Sequence, residues 1–238
     1  MQISTIEEYL QGNSYPGRGV LLGLSPDGKQ AVAAYFIMGR SVNSRNRVFV
    51  TLGDDLQIRP FDEKLVSDPS LIIYSPLRVW GKQIIVTNGD QTDTVYEGFQ
   101  QGLSFEDSLM SRCYEPDEPN FTPRISGLLS LEGNFSYRLS ILKRENESGV
   151  CGRYCYRYEP TPGRGHIIHT YQQDGNPLPT FLGEPKALAL PNDIDELTQR
   201  LWASLDPENK ISLAVRYTNL EDGSYSQRII NKHEEAQA

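Results

Sequence analysis

The stretch GVLLGLSPDGKQAVAAYFIMG, residues 19–39, decides the fold. Two apolar runs flank Ser25-Pro26-Asp27-Gly28, in which proline presets one backbone angle and glycine accepts a left-handed one. The pair reads as an antiparallel hairpin. Upstream, Ser4 before IEEYL with Glu7 three residues on has the capping-box pattern, so a short helix is expected before the turn at Tyr15-Pro16-Gly17. Downstream, strands are expected over Arg47 to Leu52, Leu56 to Pro60, Leu71 to Tyr74, Leu77 to Trp80 and Gln83 to Thr87. Helical spacing follows over Asp93 to Gln101 and, after an N-cap at Ser104, to Cys113.

Four further strands are expected at Ile125 to Leu131, Phe135 to Lys143, Gly152 to Tyr158 and His166 to Tyr171, with an exposed turn at Glu145 to Gly149. A proline-rich loop from Asp174 to Pro191 then leads to a helix, Asn192 to Ser204, capped by Asn192 or Asp193. Strands at Ile211 to Thr218 and Tyr225 to Ile230 close the chain. Strands in blocks separated by helices are not the alternation of a parallel doubly wound sheet. They predict an α+β fold, antiparallel sheets with helices packed outside in a layered sandwich.

The 238 residues are 38% hydrophobic, enough for a substantial core, and no repeat or linker divides them. One domain is expected over 1–238, with 1–14 as an N-terminal extension. A formal net charge of -8 would repel a nucleic-acid backbone, so nucleic acid is not an expected partner. No apolar run approaches the roughly 20 residues that span a bilayer and no leader pattern opens the chain, so a soluble, cytoplasmic protein without membrane contact is expected. Cys113, Cys151 and Cys155 are too few and too unevenly placed for a disulfide framework or a zinc site, and read as reduced structural thiols.

Three polar segments stand out. MGRSVNSRNR (38–47) offers Arg40, Arg45 and Arg47 with Ser41 and Ser44, and guanidinium forks suit phosphate. Arg45 and Arg47 share a face if extended. TNGDQTD (87–93) leads into a helix whose first amides favour an anion or the carbonyl edge of a base. YEPDEPNFTPRISG (114–127) sets Glu115, Asp117 and Glu118 in a proline-stiffened loop beside Phe121 and Arg124, and crowded carboxylates raise one another's pKa toward acid-base use. For each segment the structural alternative is a solvated loop or turn. Tyr74 ends the run LIIY and reads either as a core phenol or as one emerging at a strand end. His166 and His169 point to opposite strand faces, which argues against a metal pair. Glycine-rich phosphate loops, nucleophile elbows and HExxH motifs are absent.

Together YFIMGRSVNSRNRVF (35–49), VTNGDQTDTV (86–95), YEPDEPNFTPRISG, IIHTY (167–171) and PLPTFLGEP (177–185) resemble the archaeal-type inosine monophosphate (IMP) cyclohydrolase family and its bacterial relatives. The resemblance runs from about Tyr15 to about Pro185; beyond that only the predicted element order matches. It implies the four-layered αββα sandwich of the N-terminal nucleophile hydrolases without self-processing, in keeping with Gln2 at position two. It also implies ring closure of 5-formamidoimidazole-4-carboxamide ribonucleotide (FAICAR) to IMP with loss of water. By resemblance Arg40, Tyr74 and Glu115 or Glu118 surround the reacting atoms, and the arginine cluster serves partly the 5′-phosphate and partly the reacting end, with the phosphate-binding arginine left open. Asn88, Gln91 and Asp93 would bond base or ribose, with Asp117, Phe121, Arg124 and His169 completing the pocket. No metal or organic cofactor is implied, and the expected partner is the purine nucleotide, with homo-oligomerisation compatible. The competing readings are a nucleotide-binding regulatory protein without turnover and an amidohydrolase of the same sandwich. The extension before Tyr15, a longer hairpin at Lys143 to Gly152 and the proline-rich loop depart from the family pattern.

Overall fold

A computed structural model describes residues 3–66, 73–145 and 149–235. The chain begins with α1 (Ile6–Leu10), β1 (Arg18–Leu24), β2 (Gln30–Met38) and the one-turn α2 (Val42–Arg45). Next come β3 (Val48–Leu52), β4 (Asp55–Arg59), β5 (Leu77–Trp80), β6 (Gln83–Thr87), α3 (Gln91–Gln100) and α4 (Phe105–Leu109). A second block holds β7 (Arg124–Ser130), β8 (Ser136–Arg144), β9 (Cys151–Tyr158), β10 (Arg164–His169) and β11 (Lys186–Ala189). The chain closes with α5 (Ile194–Ser204), β12 (Lys210–Asn219), β13 (Tyr225–Asn231) and α6 (Lys232–Glu235).

The strands form two antiparallel sheets. One has the order β11-β10-β1-β2-β12-β13, the other β3-β4-β5-β6-β7-β8-β9. Residues 19–39 are the central hairpin of the first, with Val20 opposite Tyr35 and Leu22 opposite Ala33. Side chains alternate across a strand, so Val20, Leu22, Ala33, Tyr35 and Ile37 face one way and meet Ile84, Val86, Ile125, Leu139 and Ile141 of the second sheet. Their neighbours Leu21, Val32, Ala34 and Phe36 face the other way, where Ile6 and Leu10 of α1 and Leu197 and Leu201 of α5 cover them. On the far side, Ile85 and Leu128 pack against Val95 of α3 and Phe105 and Leu109 of α4. The α+β reading with antiparallel sheets holds.

Local differences have physical causes. The first helix is capped by Thr5 with Glu8, not Ser4 with Glu7, because the Ser4 backbone is extended and bonded to Ala187 and Ala189. The predicted strand at 71–74 lies partly outside the described residues; Ile73 and Tyr74, which are described, are not in a strand. The predicted turn at 145–149 is likewise only partly described, although β8 and β9 pair antiparallel across it. The proline-rich loop contains β11, an edge strand paired to β10. The second helix of the middle block stops at Leu109. Arg45 and Arg47 do not lie on one strand face, because Arg45 ends α2. No helix among the described residues is long and apolar enough to cross a membrane.

Candidate active site

At the end of the sandwich where β1 begins and β2 ends, the gap between the sheets turns from apolar to polar. Arg18 opens β1 on the same face as Val20 and Leu22, so strand alternation sends its side chain inward. Tyr35 lies on the inward face of β2, Arg47 directly precedes β3, and Tyr74 lies shortly before β5. The Tyr35 and Tyr74 hydroxyls share a hydrogen bond of 2.7 Å.

Neither cation of this group has an ion pair among the described residues. Arg47 is 1% exposed; its Nε donates to Ser44 O (2.7 Å) and its NH2 to Met38 O (3.3 Å), while NH1 is buried without a partner. Arg18 is less satisfied still. Its backbone bonds to Thr170, but its guanidinium makes no hydrogen bond or ion pair among the described residues, and its Nε is buried. Burial works against the charge of Arg18, and nearby Glu115 with the phenols of Tyr171, Tyr74 and Tyr15 outweighs it, so its pKa lies above the ordinary value. Burial, and then the charge of Arg18, pull Arg47 the opposite way. The two guanidiniums, Arg47 buried and Arg18 partly so, have no bonded carboxylate among the described residues and are suited to a ligand with negative or electron-rich oxygen.

Glu115 is 2% exposed and stands 3.9 Å from Arg124 NH1. Burial raises its pKa above the ordinary carboxylate range, against the pull of Arg18 and Arg124 and with help from Asp117 and Asp90. Burial also raises the Tyr74 pKa, which Arg18 and Arg47 oppose, so the phenol is a neutral donor at neutral pH. An acid, a base and a cation therefore meet in one dry corner.

The acidic loop is a scaffold as well as a source of Glu115. Asp117 accepts from Thr122 N (2.6 Å) and from Thr122 Oγ1, which also bonds the Tyr171 hydroxyl at 2.5 Å. Phe121 has φ +46° and packs edge-on to Tyr114. Glu118 is exposed. Arg124 NH1 donates to Asp90 (2.7 Å) and Gln91 Oε1 (2.8 Å). Asn88 and Gln91 are fully buried and bond to protein groups: Asn88 to Pro123 O and Ile125 N, Gln91 to Asn88, Ile125 O and Arg124. A Cβ on Gly89 would lie 2.6 Å from Gln91 Oε1, 2.7 Å from Arg124 NH1 and 3.3 Å from Glu115 Oε1, so any larger residue would displace the ends of these side chains.

The other expected residues lie at the rim or apart. Arg40 pairs with Asp174 and sits 4.9 Å over the Tyr15 ring, which stacks on Tyr171. Ser41 and Ser44 cap α2 reciprocally, and Arg45 donates to Gly39 O and Asn209. Asp93 turns away to Arg78 (2.9 Å) on the outer face. His169 has both ring nitrogens engaged, at 2.7 Å each, by the Tyr9 hydroxyl and Tyr171 O. Cys113, Cys151 and Cys155 are free thiols.

Sequence reading missed Arg18, Tyr35, Tyr15 and Tyr171. Arg18 carried a usable signal, since a cation two residues before Val20 on an inward strand face needs a reason. The tyrosines carried none, because their hydroxyls look like ordinary core phenols.

The fold is a two-sheet sandwich, and this corner brings cationic, phenolic and carboxylic side chains together. The chain belongs to the family described as IMP cyclohydrolase-like protein, whose family model matches residues 15–223. It is 28% identical over 205 residues to the IMP cyclohydrolase of Haloquadratum walsbyi, covering 84% of this chain and 89% of that protein. It is 29% identical over 161 residues to the enzyme of that name from Methanopyrus kandleri, covering 66% of this chain and 75% of the other. The Methanocella arvoryzae IMP cyclohydrolase is 36% identical over 121 residues, which is 49% of this chain and 58% of that one.

Proposed function

We propose that the chain is an IMP cyclohydrolase, closing the ring of FAICAR to IMP in purine biosynthesis. The observation that carries this reading is the unpartnered guanidinium of Arg18 beside Glu115 and Tyr74. In the reaction the carboxamide nitrogen attacks the formyl carbon. A C–N bond forms, the nitrogen gives up one proton and the formyl oxygen gains one, leaving a cyclic carbinol. The hydroxyl then departs with a proton from an acid while a ring N–H loses one to a base, so one water leaves overall.

Glu115, with its raised pKa, takes the carboxamide proton; exposed Glu118 is less suited. Tyr74 donates to the formyl oxygen as it becomes a hydroxyl, and its bond to Tyr35 fixes the phenol's direction. Arg18 and Arg47 stabilise the charge that develops on oxygen, where a dry site makes donors strong. In this reading the inner cation is Arg18, while Arg40 and Arg45, with Ser41 and Ser44 at the rim, meet the 5′-phosphate. Holding both groups in near-attack geometry supplies much of the acceleration. The two sheets with helices on both outer faces support the αββα sandwich of the N-terminal nucleophile hydrolases, as one domain. Free cysteines accord with a cytoplasmic setting.

The test is to incubate the purified protein with FAICAR and follow purine absorbance, with IMP binding measured in parallel. Ring closure supports the reading. IMP binding without ring closure at micromolar protein replaces it with a nucleotide-binding regulatory protein.

A further inference from the structure

We propose that the opposite end of the sandwich is a second binding site, for a small organic monoanion: one carboxylate on a flat apolar body. A cavity of about 350 Å³ opens there between the sheets, at the low end of the range for small-molecule sites. Arg216 and Thr218 lie two apart on β12, so strand alternation turns both side chains to the face that lines the cavity. The facing wall is apolar, from Val79, Ile84 and Leu131 of the second sheet's side.

Two polar groups in this cavity lack a matching partner among the described residues, Arg216 an ion pair and Thr218 a hydrogen bond. Arg216 is 2% exposed and contacts only neutral acceptors, Gln227 Oε1 (2.9 Å from Nε and 2.6 Å from NH2) and Asp54 O (2.8 Å). Its guanidinium lies 4.1 Å over the Tyr225 ring, and it has no ion pair among the described residues. A buried guanidinium without a counter-ion is costly to hold. Thr218 is 3% exposed, and its Oγ1 is buried with no hydrogen-bond partner. A valine would fill the same volume without that penalty, so the hydroxyl awaits an acceptor.

The charge at the mouth selects the ligand. Lys82 adds a cation, whereas Asp54, Glu221 and Asp222 ring the opening. Asp54 already accepts from the Tyr225 hydroxyl (3.1 Å), and Asp222 from Ser224 N (2.8 Å) and Oγ (2.6 Å). These carboxylates repel a dianion more than a monoanion. A single carboxylate meeting Arg216 and Thr218, with its body against Val79 and Ile84, gives the guanidinium a counter-ion and the hydroxyl an acceptor.

The experiment uses the full chain and three probes: benzoate, the neutral benzyl alcohol, and phenyl phosphate, a dianion near neutral pH. The Thr218 methyl and Arg216 Nε–H resonances are followed by NMR. Benzoate should give saturable millimolar shifts, with at least about tenfold weaker binding for the other two. Thr218→Val should keep or raise the Tm and weaken benzoate at least about threefold; Arg216→Gln should weaken it more. Because Thr218→Val removes an unpartnered hydroxyl, it decides the matter if Arg216→Gln does not fold. Equal response to benzoate and benzyl alcohol overturns the proposal, as does tighter binding of phenyl phosphate, benzoate binding unchanged by Thr218→Val, or no saturable shift.

Discussion

Tyr35 of the first sheet and Tyr74 on the side of the second bridge the inter-sheet gap through one hydroxyl-to-hydroxyl hydrogen bond of 2.7 Å. Both phenols are raised in pKa by burial, and the cations Arg18 and Arg47 act on both. One hydroxyl donates to the other, and the receiving one keeps its proton for a ligand. That makes the pair a directed donor.

Tyr74→Phe should therefore lower kcat by about a hundredfold, the scale of one general acid, while KM changes by less than about threefold. Steady-state kinetics on FAICAR read both. Equal losses in kcat and affinity would remove Tyr74 from the chemistry. Tyr35→Phe should cost less, since it leaves the donor and only frees its direction.

Glu115 links activity to pH with a definite sign. Its folded pKa is raised, so the carboxylate forms only above the ordinary glutamate value of about 4.3, and the rate should rise with pH through a correspondingly higher midpoint. Glu115→Gln should abolish that limb and most turnover. A group with a raised carboxyl pKa stabilises the fold fully below its unfolded pKa and loses that contribution as pH rises through the folded one. Glu115→Gln should thus raise the Tm at pH 7 while removing activity; a lower Tm would contradict the assignment of its burial cost.

His166 and His169 act in the other direction. Burial pushes each down to about 4 from 6.5, so the folded state holds fewer protons than the unfolded one. Stability is fully present above pH 6.5 and is lost as pH falls toward 4, by up to roughly 3 kcal/mol per histidine. Urea denaturation at stepped pH should show this slope, and His169→Gln should remove about half of it.

Gly89→Ala places a methyl against Gln91, Arg124 and Glu115. Overpacking of this kind costs about 1–3 kcal/mol. The expected outcome is a folded protein whose kcat falls at least about tenfold as the Glu115 and Arg124 side chains shift. Unchanged kinetics would show that this pair has room to move.

Legibility in the sequence followed the range of the forces involved. The hairpin at 19–39 and the helix 194–204 with its Asp193 cap were readable because turn chemistry and caps act within a few residues. The cap at Ser4 slipped by one because a strand more than 180 residues away holds that backbone. In the same way, much of the polar density at 87–93 serves the scaffold: Asn88 and Gln91 bind backbone across the sheet, and Asp93 neutralises Arg78. Glu115 and Tyr74 were visible as chemistry, yet the nearby cation Arg18 was not. Arg18 sits between two glycines at a strand entrance, and only strand parity points it inward.

Arg18→Gln is the most direct measurement. Because nearby Glu115 favours the Arg18 charge in the folded state, the variant should stay folded with a Tm unchanged or lower, while kcat/KM for ring closure falls at least about a hundredfold, as expected for loss of a principal charge-stabilising donor. A folded Arg18→Gln variant closing FAICAR within about threefold of the parent rate would contradict the account.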